Sequence, residues 1–324
     1  MNILVTGSSG FIGSQLCPTL SSRGYTPHPI SRTTFGDITP HTHWLDKLKG
    51  VDCIIHLASR VHIMKDSAAD PLAAFRHINT AATLNLANQA AQAGVRRFIF
   101  LSSIKVNGET TQPGQPFTAS TTLSHHSFPP PSTSGRGAGG EGLSDPYALS
   151  KHEAEQGLRA IAQQTGLEIV IIRPPLVYGS EVKANFLQLM HWLRQGIPLP
   201  LGSIHNHRSL VALPNLIDLI ITCIDHPAAA NQTFLVSDGE DLSTTQLLQR
   251  LSAALDKPTR LLPIPQKLLE ITLTLLGKRA IAQRLCGNLQ VDISKTRDLL
   301  GWNPPVSVDE ALRQTAQAYL QSQR

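Results

Sequence analysis

"ILVTGSSGFIG", residues 3–13, decides how the rest of the chain is read. A short β-rich run is followed at once by Gly7, Gly10 and Gly13 and then by a helical segment, "SQLCPTLSSRG". The spacing is G-x-x-G-x-x-G. Glycines so placed let the backbone turn tightly and approach a pyrophosphate, while the helix N-terminus that follows offers free N–H groups and a positive dipole end. A glycine turn between a first strand and a first helix predicts a dinucleotide site, held by Gly7, Gly10, Phe11, Ile12 and Gly13.

Outward from that turn, β-rich runs alternate with longer helical ones up to about residue 180: "TPHPIS", "CIIHLA", "LAAFRHINTAATLNLANQAAQAG", "RRFIFLS" and "EIVIIRP". This alternation signals βαβ units, and strands without strict polar alternation fit a sheet buried on both faces. The expected fold is α/β, a Rossmann-like doubly wound parallel sheet with a smaller C-terminal substrate-binding domain. Its expected division is residues 1–179 and 180–324, with about 209–240 a candidate to return to the first domain. The Pro/Gly/Ser-rich stretch at about 124–144 reads as a mobile surface insert, a lid and an inert loop fitting equally well.

Composition narrows the class. The chain has 324 residues, 41 % apolar and 16 % charged, an ordinary globular balance with room for a sizeable core. A net charge of +5 is dispersed, without the dense basic blocks of a nucleic-acid-binding face. Cys17, Cys53, Cys223 and Cys286 lie far apart with no C-x-x-C pair, which argues against a zinc knuckle and a disulfide framework. His41/His43 and His205/His207 have no acidic or cysteine partner at metal-ligand spacing, so no metal is expected. The opening run leaves no charged segment and apolar core for a secretory signal, and Glu270, Pro214 and Asp218 break the longest apolar stretches. The expectation is a cytoplasmic protein with no membrane span.

"YALSK", residues 147–151, places Tyr147 and Lys151 one helical turn apart on one face. Such pairs arise by chance on any helix, so neighbouring motifs must decide. The glycine turn, "HLA" (56–58), "LSSIKVNG" (101–108), "YALSK" and "IIRPPLVYG" occur in the order and spacing of the extended short-chain dehydrogenases/reductases. Together with "DISKTRDLLGWNPP", they resemble the NAD-dependent epimerase/dehydratase branch that acts on nucleotide sugars.

That resemblance implies roles. Tyr147 would be the general acid/base exchanging a proton with a sugar hydroxyl during hydride transfer, and Ser103 would hydrogen-bond the reacting oxygen, with Ser102 on the strand's other side. Lys151 would hold the nicotinamide ribose. Its ammonium and the nicotinamide cation would favour the phenolate of a tyrosine whose ordinary pKa, about 10, makes it a poor base. His56, Leu57 and Ala58 would line the cofactor, Pro174 would flank the nicotinamide amide, and Asn79 would support the active-site backbone, a helix-surface amide being its bland alternative. Asn185 and Arg208 match positions that meet the substrate's diphosphate and sugar, and Arg284 could supply a second guanidinium. In the family, helices here at 79–93 and 147–165 pair across a homodimer.

Departures from the family pattern narrow the reaction. Ile104 and Lys105 stand where dehydratases carry an Asp-Glu pair, which argues against 4,6-dehydration. Asn107 replaces the Tyr of "VYG", so the sugar pocket is expected to differ from that of a plain hexose epimerase. The second strand's end, "PISRTTFGD", has no carboxylate at Ser31, while Arg32 could pair with a 2′-phosphate. NADP(H) is therefore favoured over NAD(H), with Asp37 an adenine-loop candidate. The resulting expectation is an enzyme acting by hydride transfer at C4 of a UDP-sugar, reducing a UDP-4-keto-6-deoxy-N-acetylhexosamine in bacterial polysaccharide (O-antigen) assembly. A UDP-glucose or UDP-N-acetylglucosamine 4-epimerase is the near alternative, and a non-catalytic dinucleotide sensor a remote one.

Overall fold

The computed structural model describes residues 1–61, 70–121, 145–182 and 184–323; the predicted insert at 124–144 lies outside them. Six parallel strands form the main sheet: β1 (Asn2–Thr6), β2 (Thr26–Ile30), β3 (Cys53–His56), β4 (Arg97–Leu101), β5 (Glu168–Arg173) and β8 (Thr233–Leu235). Their spatial order is β2-β1-β3-β4-β5-β8. Because the chain steps from β1 to one side and then crosses to β3 on the other, the strand order reverses between β1 and β3. A crevice opens there at the strands' carboxyl ends, where ligands bind in open α/β sheets.

Side chains alternate across this sheet with period two, so both faces are dry. Ile3, Val5, Ile55, Ile99 and Ile172 meet the helices Gly13–Ser22 and Leu213–Asp225. Leu4, Ile54, Phe98, Phe100 and Ile171 meet Leu86, Ala90 and Leu158 from the opposite layer. The edge strand β2 reads TPHPI, and prolines belong at such an edge because they cannot donate to a further ladder. Arg97, at the start of β4, is buried and ties two elements together. Its guanidinium pairs with Glu168 and donates to the carbonyls of Cys223, Ile224 and His226, closing the C-terminal end of helix Leu213–Asp225.

A second, three-stranded sheet joins β6 (Leu176–Tyr178), β7 (Arg208–Ala212) and β9 (Asp241–Leu242). It packs with helices Ala184–Arg194, Thr244–Ala254 and Val308–Gln321 around Tyr178, Phe186, Met190, Leu248, Leu251 and Leu312. Phe11, from the glycine turn, packs against this core and the main one, so the turn is wedged between the two.

Candidate active site

The glycine turn and the loop after β3 meet at the strand-order reversal. Gly7 adopts φ +70°, and a Cβ there would lie 2.8 Å from the Ala58 backbone nitrogen, so only glycine lets the two loops touch. At Gly13 a Cβ would fall 2.4 Å from the Gly7 carbonyl oxygen, which fixes close packing of the helix start on the turn. No side chain caps the helix Gly13–Ser22. Its N-terminus therefore retains donors and positive dipole for an anion, the fit a dinucleotide pyrophosphate requires. Thr6 Oγ1 accepts from Ala58 N at 3.3 Å and lies 2.7 Å from His56 Nδ1, with Thr83 Oγ1 2.9 Å from the other ring nitrogen. Burial, then the nearby Lys151, holds His56 down to about 3, so it is a neutral structural strut under Leu57 and Ala58.

Tyr147 and Lys151 sit in the first turns of the helix Pro146–Thr165. Asp145 starts it by accepting from Tyr147 N at 3.0 Å, and Pro146 presets its first φ. Lys151 is buried, donates to Leu101 O at 2.9 Å and holds its Nζ 4.4 Å from the Phe100 ring centre. Desolvation brings it down to about 7. The Ser103 and Ser59 hydroxyls lie near enough to the Tyr147 phenol to favour its ionised form. Ser103 projects from the end of β4, beside Pro174, whose carbonyl accepts from Ile104 N at 3.0 Å. Ser102 points the other way, donating to Glu155 Oε1 at 2.6 Å, as strand alternation requires.

The expected phenolate-favouring field does not come from the protein alone. Burial pushes Tyr147 up to about 12, outweighing the two serine hydroxyls, and Asp145 adds to the rise. Within the chain Tyr147 is thus a proton donor first. Ionisation must come from added positive charge.

Asn79 is fully buried, and no surface amide. Its Oδ1 accepts from Arg60 N (2.8 Å) and Ser59 Oγ (3.1 Å), while its Nδ2 donates to Arg60 O and Ser150 Oγ. It lies in a π-helical stretch, Arg76–Ala82, continuous with helices on either side. The wider turn aims the amide at the loop carrying Ser59 and at the helix carrying Tyr147, a use π-bulges often serve.

Asn107 is 2 % exposed and points inward, so its side chain does not stand in the pocket where a tyrosine would, and its amide donates to the carbonyls of Thr118 and Thr121 and accepts from Arg173 Nη1 at 3.0 Å. Arg173 in turn pairs with Glu155 at 2.6 Å, both side chains fully buried. Burial opposes the Glu155 charge, but Arg173, Ser102 and Arg159 hold its carboxyl below the usual range. Glu155 and Arg173 form a polar spine under the catalytic loop that sequence reasoning missed. Their only sequence signal was a charge on a helix face and another in an apolar strand. Lys105, which stands in a dehydratase acid position, pairs with Asp145 at 2.5 Å and so braces the residue that starts the Tyr147 helix.

The remaining candidates are more dispersed. Ser31 is a buried N-cap with a capping box to Thr34, and the exposed Arg32 pairs with Asp37 at 2.7 Å. The two residues read separately for the cofactor's adenosine end are thus one ion pair. Arg208 begins β7 and donates to Gly287 O at 3.0 Å, immediately beyond the helix Arg279–Cys286 on which Arg284 is exposed. Residues 288 and 290 bond to Thr111 and Phe117, bringing this segment against the loop that follows Ser103. Asn185 lies at the start of the helix Ala184–Arg194.

A parallel sheet with a glycine turn at its switch point, joined to a Ser/Tyr/Lys cluster, defines a Rossmann-type dinucleotide-dependent enzyme of the extended short-chain class. The family model for the NAD dependent epimerase/dehydratase family matches residues 3–237, and the chain belongs to that family. It is 47 % identical to the UDP-glucose 4-epimerase of Vibrio cholerae, over 99 % of this chain and 96 % of that one. Among solved structures, the Thermus thermophilus UDP-glucose 4-epimerase complex with NAD superposes with TM-score 0.74 at 20 % identity, covering 99 % of each chain. RMD of Pseudomonas aeruginosa complexed with NADPH gives TM-score 0.71 at 19 % identity, over 98 % of this chain and 99 % of that one. The protein is an NAD-dependent type of sugar-nucleotide epimerase/reductase, and its cofactor is a nicotinamide dinucleotide.

Proposed function

We propose that the protein is a UDP-sugar 4-epimerase acting on UDP-glucose or UDP-N-acetylglucosamine and retaining NAD through turnover. The observation that carries this reading is the near-full-length similarity to the Vibrio cholerae epimerase, in a chain where Ser103 lies near Tyr147 and Lys151 is tied to the end of the same strand at Leu101. The 4-keto reduction expected from the sequence gives way to its own alternative.

Gly7, Gly10, Phe11, Ile12 and Gly13 would hold the pyrophosphate, Leu57, Ala58 and Pro174 would line the nicotinamide side, and Lys151 would hold its ribose. Bound NAD supplies the hydride acceptor and, on return, the donor at C4. The Tyr147 oxygen takes the proton of the C4 hydroxyl as C4 is oxidised, and gives it back when the 4-keto sugar, turned over in the site, is reduced on its other face. Ser103 hydrogen-bonds the C4 oxygen throughout. Arg208 and Arg284, with Asn185, would hold the diphosphate and sugar on the side of the second domain, taken as residues 180–324.

NAD rather than NADP is proposed from the similarity to a UDP-glucose 4-epimerase, and because Arg32 pairs with Asp37, a carboxylate that a 2′-phosphate would face. The same exposed guanidinium is what favours the second reading, an NADPH-dependent 4-ketoreductase. We place the enzyme in the cytoplasm, in polysaccharide assembly, as a homodimer. Incubating the protein with each UDP-sugar and no reductant tests the reading: appearance of the galacto epimer supports it. Oxidation of NADPH by a UDP-4-keto-6-deoxy-N-acetylhexosamine, with no epimer formed from either UDP-sugar, overturns it in favour of the reductase.

A further inference from the structure

The segment Arg260–Cys286 folds as a helical hairpin, Gln266–Leu275 and Arg279–Cys286, joined by a turn at Gly277. Its first helix has no fully buried residue. Leu268, Ile271 and Leu275 recur at helical spacing along one face and are 52 %, 57 % and 83 % exposed, with Leu276 beside them at 63 %. The opposite side is anchored. Leu269 packs on the C-terminal core, and Gln266 bonds to His205 N, Glu270 and the Cys286 carbonyl. An outward row of large aliphatic side chains on an anchored helix is unusual for a surface that meets only water.

Charge identifies what covers it. Lys267, Lys278 and Arg279 flank the row in sequence, all at exposed positions, and the segment's one carboxylate, Glu270, lies on the anchored side bonded to Gln266. Apolar side chains bordered by cations match a bilayer surface bearing anionic headgroups, with leucines entering the acyl boundary and cations meeting phosphates. A second copy of the chain fits less well, because a two-fold contact through this face would bring like cations together. The helix has ten residues, and no helix among the described residues is long and apolar enough to cross a membrane, so the contact would lie in the interface plane.

We propose that this hairpin docks the protein on anionic lipid bilayers. The site follows the surface, because Asn206 donates to the carbonyls of Leu285 and Gly287, and Arg208 to that of Gly287. Docking would hold the Arg208 edge close to the headgroups. The contact is independent of the sugar chemistry, and its test reads lipid binding alone.

Vesicle flotation of the full chain decides it. Wild type should float with phosphatidylcholine/phosphatidylglycerol vesicles, stay behind with phosphatidylcholine alone, and be released by salt. Leu268→Glu/Leu275→Glu and, separately, Lys267→Glu/Lys278→Glu should each weaken binding about tenfold or more while leaving the melting temperature near wild type. Wild type that fails to float with the anionic vesicles overturns the proposal. So does the charge-reversal pair floating undiminished, or the Leu pair converting a dimer to monomer in vesicle-free buffer with flotation unchanged.

Discussion

Tyr147 and Lys151 carry opposite consequences of the same burial. The phenol is pushed up to about 12, so under the proposed mechanism a bound cofactor's positive charge would have to favour loss of its proton. Tyr147→Phe should therefore cut kcat by about 10²–10⁴-fold with dinucleotide affinity nearly unchanged, measured by turnover and calorimetry; wild-type turnover would remove its role. Lys151 is brought from 10.5 to about 7 in the folded chain. Between those values the unfolded chain binds a proton that the folded one lacks, so Lys151 makes stability rise as pH rises through that window. Below about 7 both states carry the charge and the folded state keeps the full penalty. Urea denaturation of cofactor-free protein at pH 7, 8 and 9 should show wild type gaining on Lys151→Met at each step; parallel curves would contradict the burial. At Gly7, alanine would meet the Ala58 nitrogen at φ +70°, and Gly7→Ala should lose about tenfold or more in NAD affinity.

At the scale of elements, the helix Pro146–Thr165 is fixed from below as well as from its cap. Glu155 and Arg173 pair with neither side chain exposed, so Glu155→Gln leaves a buried guanidinium short of its carboxylate and should cost about 3–5 kcal/mol in urea denaturation. A loss below about 1 kcal/mol would contradict a buried, charged pair at this position. This spine also marks where sequence reading stops. The glycine turn was legible because its meaning lies in local spacing, a turn needing positive φ, whereas in YALSK local spacing says only that a helix brings i and i+4 together. The Ser102–Glu155–Arg173–Asn107 chain joins four distant segments, and nothing in the local pattern around Asn107 says that its amide faces inward. Asn79 was legible only in role, since the π-helical register that aims it has no sequence signature. Arg32 and Asp37 were each visible, but their pairing depends on a short helix and a turn at Gly36 that brings residue 37 back.

Over the whole molecule, the glycine turn is clamped between two cores by Phe11. The proposed retention of NAD predicts that protein purified without added cofactor releases NAD, and little NADP, on acid denaturation, as read by enzymatic cycling assay. Protein carrying chiefly NADP would instead support the 2′-phosphate role for Arg32. The helices Thr83–Gln92 and Pro146–Thr165 lie together in one protomer, Leu84 resting where a Gly157 side chain would be. Pairing of these two helices with their copies predicts a dimer in sedimentation velocity, and a monomer at micromolar concentration would contradict that pairing.

The central claim is that hydride leaves and returns to the same sugar carbon within one binding event. UDP-glucose deuterated at C4, incubated with the enzyme and excess unlabelled reduced cofactor, tests it by proton NMR of the products. The account predicts UDP-galactose that keeps deuterium at C4. Absence of the galacto sugar, or its appearance with hydrogen at C4, would contradict it.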